Sequence, residues 1–402
     1  MLTVKPAIKP IRSNQKFGLA LAGGGPLGGF YELGALCAIE DSLEPLKITE
    51  LDVYVGVSAG AFIAAGLANG IDLRKMAEIF AFSKKHETPF NPDHFLQPAY
   101  KDYILNLAKT PSLLGKTILR WAQNPLKTSV VDVLEMTGKI LPAGVFNNEK
   151  LETFLRTIIQ EHGSTNDFRQ LQKELYIVAC ELNSGKIAGF GNRDNNTVPI
   201  SKAVQASSAL PGLYSPVKIN GKFYVDGALR RTMNASAALK QDTHLLFAVN
   251  PIVPFERTLK TDEKGLVSGG LPLVLSQTFR SIVQSRLKSG LDKYESLFPH
   301  ADIILAEPDA NDETLFQSNL FSYSKRDQLC DYAYQSTRRH LIEQQAELQP
   351  VLARHGLYMN THKLAQKHRS ILDFLADDGQ HVDWTEHLNE SLDALERTIR
   401  SV

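Results

Sequence analysis

Two apolar runs near the start of the chain each end on a turn that only small residues can make. Phe17 to Leu21 runs into Gly23-Gly24-Gly25-Pro26-Leu27-Gly28-Gly29, and a helical pattern follows from about Phe30 to Ser42. Val53 to Val57 runs into Gly56-Val57-Ser58-Ala59-Gly60, with an alanine-rich helix from Ala59 to Asn69 directly behind it. Strand, glycine turn and helix, twice in succession, is the pattern of βαβ units on a parallel sheet. An α/β fold is therefore expected.

Later segments extend that sheet. Glu174 to Glu181 and Ile187 to Phe190 read as strands, as do Leu245 to Val249 and Ile303 to Leu305. Asn220-Gly221 sits between alternating apolar residues in Val217 to Val225, the strongest short hairpin signal there is. Leu271 to Leu297 reads as a long amphipathic helix, and everything beyond about Asp327 reads helical. From about Lys84 to Asn147 the pattern changes to proline-punctuated helical segments, an insertion or lid. No internal repeat is visible.

Charge narrows the partners. The 402 residues carry 44 Lys+Arg and 44 Asp+Glu, net zero, which argues against a basic surface that grips nucleic acid. Cys37, Cys180 and Cys330 are too few and too scattered for a disulfide framework or a zinc site. The opening residues lack the apolar core of roughly 7–15 residues that marks a secretory signal. No run approaches the roughly 18 apolar residues of a membrane span. The expectation is a soluble protein of a reducing compartment, cytoplasmic and, as argued below, peripheral to membranes.

The two turns carry the chemistry. Successive glycines let backbone N–H groups converge on an anion, and the helix behind them adds its positive dipole end. Gly23, Gly25 and Gly28 also satisfy G-x-G-x-x-G, the dinucleotide fingerprint. That reading wants an acidic residue at the end of the second strand. Asp52 stands at its beginning, and the end carries Ser58. G-x-S-x-G between a strand and a helix is the arrangement of a nucleophile elbow, which exposes a serine hydroxyl at the carboxyl end of a sheet. The glycine loop follows the neighbouring strand and can serve as an oxyanion hole.

A nucleophilic serine needs a base. His244 and His300 precede apolar strands and so fall at the wrong end of the sheet. His340, His355, His362, His368, His381 and His387 lie in the helical tail, and His86 and His94 in the insertion. Asp226, in Tyr224-Val225-Asp226-Gly227-Ala228, follows the hairpin strand, and a carboxylate there can take the serine proton directly. An ordinary Asp-Gly turn fits the same letters, and spacing alone does not separate the two.

In these segments the chain resembles the patatin-like phospholipase family. The G-G-G-x-x-G loop at Gly23 to Gly28, G-x-S-x-G at Ser58 and D-G-A at Asp226 stand in the family's order. Between the last two lie Ala206-Ser207-Ser208-Ala209-Leu210-Pro211 and Ser215-Pro216-Val217, similar to the family's approach to its aspartate. Ala301 to Arg338 is also family-like, so the resemblance covers roughly residues 15–345, with 84–147 poorly matched.

The resemblance implies a three-layer α/β/α fold with a mainly parallel central sheet. Residues 1–14 would be a leader, 15–345 the catalytic domain with its helical insertion, and 346–402 a helical extension. It further implies hydrolysis of fatty-acyl esters of lipids by a Ser–Asp dyad, with no His, cofactor or metal. Ser58 would be the nucleophile and Asp226 the base, with Gly227 making the turn behind it. Gly24 and Gly25 would donate to the oxyanion, Gly23 and Gly28 would shape the loop, and the Ala59 N–H would be a further donor. Gly56 and Gly60 would be the elbow glycines. The family usually carries Arg or Lys where this chain has Leu27, which points to a neutral ester substrate or to a cation supplied from elsewhere.

Lys101 to Lys127 holds five basic residues, one acid (net +4), several leucines and Trp121. That composition suits an interfacial helix on anionic lipid, and equally a helical cap with a solvated basic face. The tail beyond about Glu347 is amphipathic in places and reads as a packing or partner-binding appendage. Three rivals stay open: an acyltransferase or thioesterase using the same serine, a nucleotide-binding protein using the glycine loop, and a silent lipid-binding scaffold.

Overall fold

The computed structural model describes residues 1–10, 15–82, 97–98, 143–192, 195–256, 267, 270–310 and 325–377. The basic stretch Lys101 to Lys127, most of the insertion, and His86, His94, His381 and His387 lie outside the described residues.

Nine strands form one sheet: β1 (Leu2–Lys5), β2 (Lys16–Leu21), β3 (Val53–Val57), β4 (Glu174–Glu181), β5 (Ile187–Phe190), β6 (Val217–Ile219), β7 (Lys222–Asp226), β8 (Thr243–Val249) and β9 (Asp302–Ala306). The centre, in the order β9-β8-β2-β3-β4, is parallel throughout. Antiparallel strands finish both sides: β1 on β9, then β5 and β7 on β4, with β6 on β7. The β6–β7 hairpin turns at Asn220 and Gly221, both at positive φ (48° and 80°), as a type I′ turn requires.

The central strands are apolar on both faces because both faces are covered. Side chains alternate across a strand. Leu19 and Leu21 therefore join Leu245, Phe247 and Val249 in one core, while Ala20 joins Leu246 and Ala248 in the other. The first core is roofed by α1 (Gly25–Ser42), α2 (Ala59–Ala68), α3 (Glu149–Glu161), α4 (Ile200–Ser207) and α6 (Arg326–Glu343). The second is covered by α5 (Gly270–Leu297), through Leu287, Leu291 and Tyr294, and by the short turn Ser236–Leu239. This is the three-layer α/β/α arrangement.

Three local expectations need correcting. Helix α1 begins at Gly25 rather than near Phe30, so Pro26, Leu27 and Gly28 form its first turn. Proline is at home there, because the first N–H groups of a helix have no partner to lose. Leu2–Lys5, within the expected leader, is an edge strand with Leu2 buried. The region beyond Asp327 is not wholly helical, since Tyr358–Met359 pairs with Leu43–Glu44.

That pairing belongs to a larger clasp. The Arg369 guanidinium, from Nε and Nη2, donates to both oxygens of the buried Asp41 at 2.6 and 2.7 Å. The Tyr334 hydroxyl and Lys363 ammonium donate to the same carboxylate at 2.6 and 2.9 Å. Burial alone would raise Asp41, but these hydrogen bonds, Arg369 foremost, hold its carboxyl below the usual range. No helix among the described residues is long and apolar enough to cross a membrane.

Candidate active site

A strand has two edges, and the pairing around β4 uses them unevenly. Ile177 and Val178 pair with both β3 and β5, while Ala179 and Cys180 pair with both β5 and β7. Strands β3 and β7 therefore share one edge of β4, running toward each other and meeting end to end. Val57 closes β3 opposite Val178, and Asp226 closes β7 opposite Ala179, the next residue along. Ser58 is thus delivered to Asp226 by the sheet itself.

The chain bends sharply at the meeting point. Ser58 has φ 53° and ψ −121°, an unfavourable backbone for a residue with a side chain, costing about 1–3 kcal/mol. Close packing imposes it. A Cβ on Gly56 would stand 2.4 Å from Ala61 Cα, and one on Gly60 would stand 2.6 Å from Leu21 Cβ. Only glycines let α2 fold back so tightly over β3 and the end of β2.

Two serines brace the turn. The Ser58 N–H donates to Ser207 Oγ at 2.8 Å, and the Ser207 hydroxyl donates to the Val178 carbonyl at 2.6 Å. The Ser208 hydroxyl donates to the Ser58 carbonyl at 3.3 Å. Both serines end or follow α4, and their only trace in sequence was the family-like segment before the aspartate.

Asp226 is buried, with its N–H on the Ala209 carbonyl at 2.9 Å and its Oδ1 accepting the Ala228 N–H at 2.8 Å. Burial pushes its carboxyl up to about 6, against the opposing pull of the Ala228 N–H and the Ser58 hydroxyl. Gly227 allows the turn behind it to press on β4, since a Cβ there would lie 2.2 Å from the Val178 carbonyl oxygen.

The glycine loop closes the third side. A Cβ built on Gly23 would meet Ser58 Cβ at 3.0 Å and Ala228 Cβ at 3.1 Å, so the loop touches the serine turn and the aspartate turn together. The Gly23 N–H is donated to the Thr232 carbonyl, and that of Gly28 to the Gly24 carbonyl, at 3.2 and 3.1 Å. The N–H groups of Gly24, Gly25 and Ala59 have no partner among the described residues. Pro251, beyond the end of β8, wedges the loop from behind: a Cβ on Gly24 would stand 2.5 Å from its Cγ, and one on Gly28 2.9 Å. Gly24 and Gly28 thus pack against Pro251, while a Cβ on Gly25 would meet nothing within 4 Å.

Ser58, Asp226 and the glycine loop line a cavity of about 500 Å³. Its other walls are mostly apolar, with Leu27, Phe30, Phe62, Leu210 and Phe279 among them. None of the described histidines lines it. His244 accepts the Lys16 N–H at the amino end of the sheet, and His355 holds Asp302 at 2.7 Å. Arg280 of α5 also reaches the cavity, a residue that nothing in the sequence pattern singled out.

Residues 19–239 match the model of the patatin-like phospholipase family. Two viral proteins are similar to the chain. Uncharacterized protein R571 of Acanthamoeba polyphaga mimivirus is 28% identical over 237 residues, 58% of this chain and 64% of that one. Probable lipid hydrolase 463L of Invertebrate iridescent virus 6 is 23% identical over 217 residues, 54% of this chain and 61% of that one. The chain thus matches less than two thirds of either relative's length.

Among solved structures, VipD from Legionella pneumophila is similar at 17% identity and a TM-score of 0.35, over 82% of this chain and 70% of that one. The ExoU–SpcU complex of Pseudomonas aeruginosa is similar at 15% and 0.28, over 98% and 74%. The sequence match takes in more than half of the residues, with the glycine loop, Ser58, Ser207, Ser208 and Asp226 among them. The chain belongs to the patatin-like phospholipase family.

Proposed function

We propose that this chain is a lipid acyl hydrolase that cleaves fatty-acyl esters through a Ser58–Asp226 dyad. The end-to-end meeting of β3 and β7 along β4 is the observation that carries the reading, because it places a strained serine beside a buried carboxylate in an apolar cavity.

Ionised Asp226 accepts the Ser58 proton as Oγ attacks the ester carbonyl. The tetrahedral oxyanion faces the N–H groups of Gly24, Gly25 and Ala59, at the starts of α1 and α2, where helix dipoles add positive potential. Collapse expels the alcohol, which takes its proton from Asp226, and leaves an acyl-serine. Water then attacks the acyl-serine, with Asp226 again accepting the proton; the bond from Oγ to the acyl carbon breaks, Oγ takes that proton back from Asp226, and the fatty acid departs. Apolar walls suit an acyl chain, and the exclusion of water strengthens each of these polar contacts.

The test is acyl release from a panel of lipid esters by the wild type, Ser58→Ala and Asp226→Asn, with labelling by a fluorophosphonate probe. Both variants lose acyl release, and Ser58→Ala also loses the label. Label that persists on Ser58→Ala would falsify the assignment of the nucleophile.

A further inference from the structure

Helix α5 buries one side and leaves apolar residues on another. Val283, Leu287, Leu291 and Tyr294 are buried, as a helix lying on a sheet requires. Val274, Leu275, Ile282 and Leu297 are exposed, four of the thirteen large apolar side chains that stand in solvent among the described residues. At about 100° per residue, Leu275, Ile282, Arg286 and Lys293 fall in one stripe, each within about 20° of its centre line.

That stripe borders the cavity. Leu275 lines the cavity and is still 58% exposed, so it stands where the cavity opens to solvent. Phe279, about 40° further round the helix, belongs to the wall inside. Arg286 Nη1 donates to the carbonyl of Leu229, another lining residue, and the Thr232 hydroxyl donates to the Val283 carbonyl at 3.5 Å. The turn behind Asp226 is thereby held against α5, with Arg230 and Arg231 exposed beside the stripe.

Charge on this face has one sign. Residues 270–291 contain no acid, and Arg286 and Lys288 are exposed among them. Asp292 and Glu295 fall about 100° or more away from the stripe. Arg286 bonds to a carbonyl and Arg231 to the Ser236 hydroxyl; neither they nor Arg230 and Lys293 pair with an acidic side chain among the described residues. Apolar side chains held in water and unpaired like charges both cost free energy. An anionic lipid surface relieves the two together: its acyl chains cover the apolar residues and its headgroups meet the cations.

We infer that the outer stripe of α5 and the Arg230–Arg231 turn form a docking face that seats the mouth of the cavity on an anionic lipid bilayer. This rests on the proposed hydrolase reading for why the cavity opens onto lipid, but docking is measurable without turnover.

The experiment uses the full chain carrying Ser58→Ala, so that no lipid is consumed. Co-sedimentation follows its partition onto vesicles of phosphatidylcholine alone and of phosphatidylcholine mixed equally with phosphatidylglycerol. Partition favours the anionic vesicles and weakens with salt. Arg230→Gln together with Arg231→Gln weakens it about 10- to 30-fold on the anionic vesicles. Ile282→Ser weakens it about 10-fold. Arg230→Lys together with Arg231→Lys keeps both charges and retains it. All three side chains are exposed, so the thermal melts of these variants match that of the parent.

Three outcomes overturn the inference. Partition unchanged in every variant means that lipid is met elsewhere on the chain. Equal partition onto both kinds of vesicle means that the cations meet no headgroups. A dimer in sedimentation velocity that Ile282→Ser dissociates, with no partition onto vesicles, means that this face joins two copies of the chain. Acyl release by chains with Ser58 intact is scored separately on a monomeric ester. No release, with vesicle binding that depends on Ile282, Arg230 and Arg231, sinks the hydrolase reading and keeps this one; release, with binding indifferent to those residues, does the reverse.

Discussion

Ser207 Oγ lies between Ser58 and β4, accepting the Ser58 N–H at 2.8 Å while donating to the Val178 carbonyl at 2.6 Å. One hydroxyl thereby ties the strained turn to the strand along which β3 and β7 meet. Ser207 touches no reacting atom in the proposed chemistry; it is a positioning residue. In Ser207→Ala two buried backbone groups each lose a partner, costing about 1–3 kcal/mol of stability. With Ser58 less firmly held, kcat falls by roughly tenfold or more while KM changes little. Steady-state kinetics beside a thermal melt decide it: a melt that shifts with kcat intact removes Ser207 from the positioning role.

In the proposed reaction the pH profile follows from Asp226. Burial raises its carboxyl to about 6, and only the ionised form can take the serine proton. The logarithm of kcat/KM therefore climbs with unit slope below about pH 6 and is flat above it. A profile on monomeric ester substrate that stays level down to pH 4.5 would show that some other group is the base.

The same carboxylate costs stability. Its folded-state value, about 6, lies above the ordinary 3.8, so the native state binds the proton more tightly than the unfolded chain does. Wild-type stability therefore falls as pH rises through that window. Asp226→Asn keeps the oxygen that accepts the Ala228 N–H and carries no charge. It should be more stable than wild type by on the order of 1–3 kcal/mol at pH 7–8, with the gap closing toward pH 4. Urea denaturation at both pH values reads it. An Asn variant no more stable than wild type at pH 8 rules out a strained carboxylate.

Asp41 works in the opposite sense. Its hydrogen bonds from Arg369, Tyr334 and Lys363 outweigh the burial and hold the carboxyl below its ordinary value. The stabilisation is full above that ordinary value and fades as pH drops through the depressed one. Arg369→Ala leaves the buried Asp41 with only Tyr334 and Lys363 as donors and costs about 1–3 kcal/mol at neutral pH, less under acid. Equal melting temperatures for variant and wild type at pH 7 would show that the clasp contributes nothing.

What the sequence made legible was set by short-range rules. Apolar runs ending on glycines announce β2 and β3 with the turns behind them, and Asn220-Gly221 announces the β6–β7 hairpin. Ser58 stands out because G-x-S-x-G falls where a strand stops, whereas Asp226 is level with an ordinary Asp-Gly turn until the family resemblance is added. The sequence pattern starts α1 too late because Gly25 and Pro26 look like loop residues, although a helix accepts both in its first turn. The edge strand Leu2–Lys5 and the pairing of Tyr358–Met359 with Leu43–Glu44 are too brief for any periodicity to show. The support behind the site was hidden for a different reason. Ser207, Pro251 and Arg280 reach it from α4, the end of β8 and α5, and such contacts exist only once the layers close.

The order of strands bears on how the chain can be shortened. The family match stops at residue 239 and starts at 19, whereas β2 finds its neighbour on one edge in β8, which is followed by β9 and then β1. A piece trimmed to the matched limits would keep only Leu19–Leu21 of β2 and leave that apolar remnant as an uncovered sheet edge, ready to recruit another copy. Such a fragment should go to inclusion bodies however intact its serine and aspartate are. The complete strand order needs β1 through β9, and the first core needs α6 beyond it.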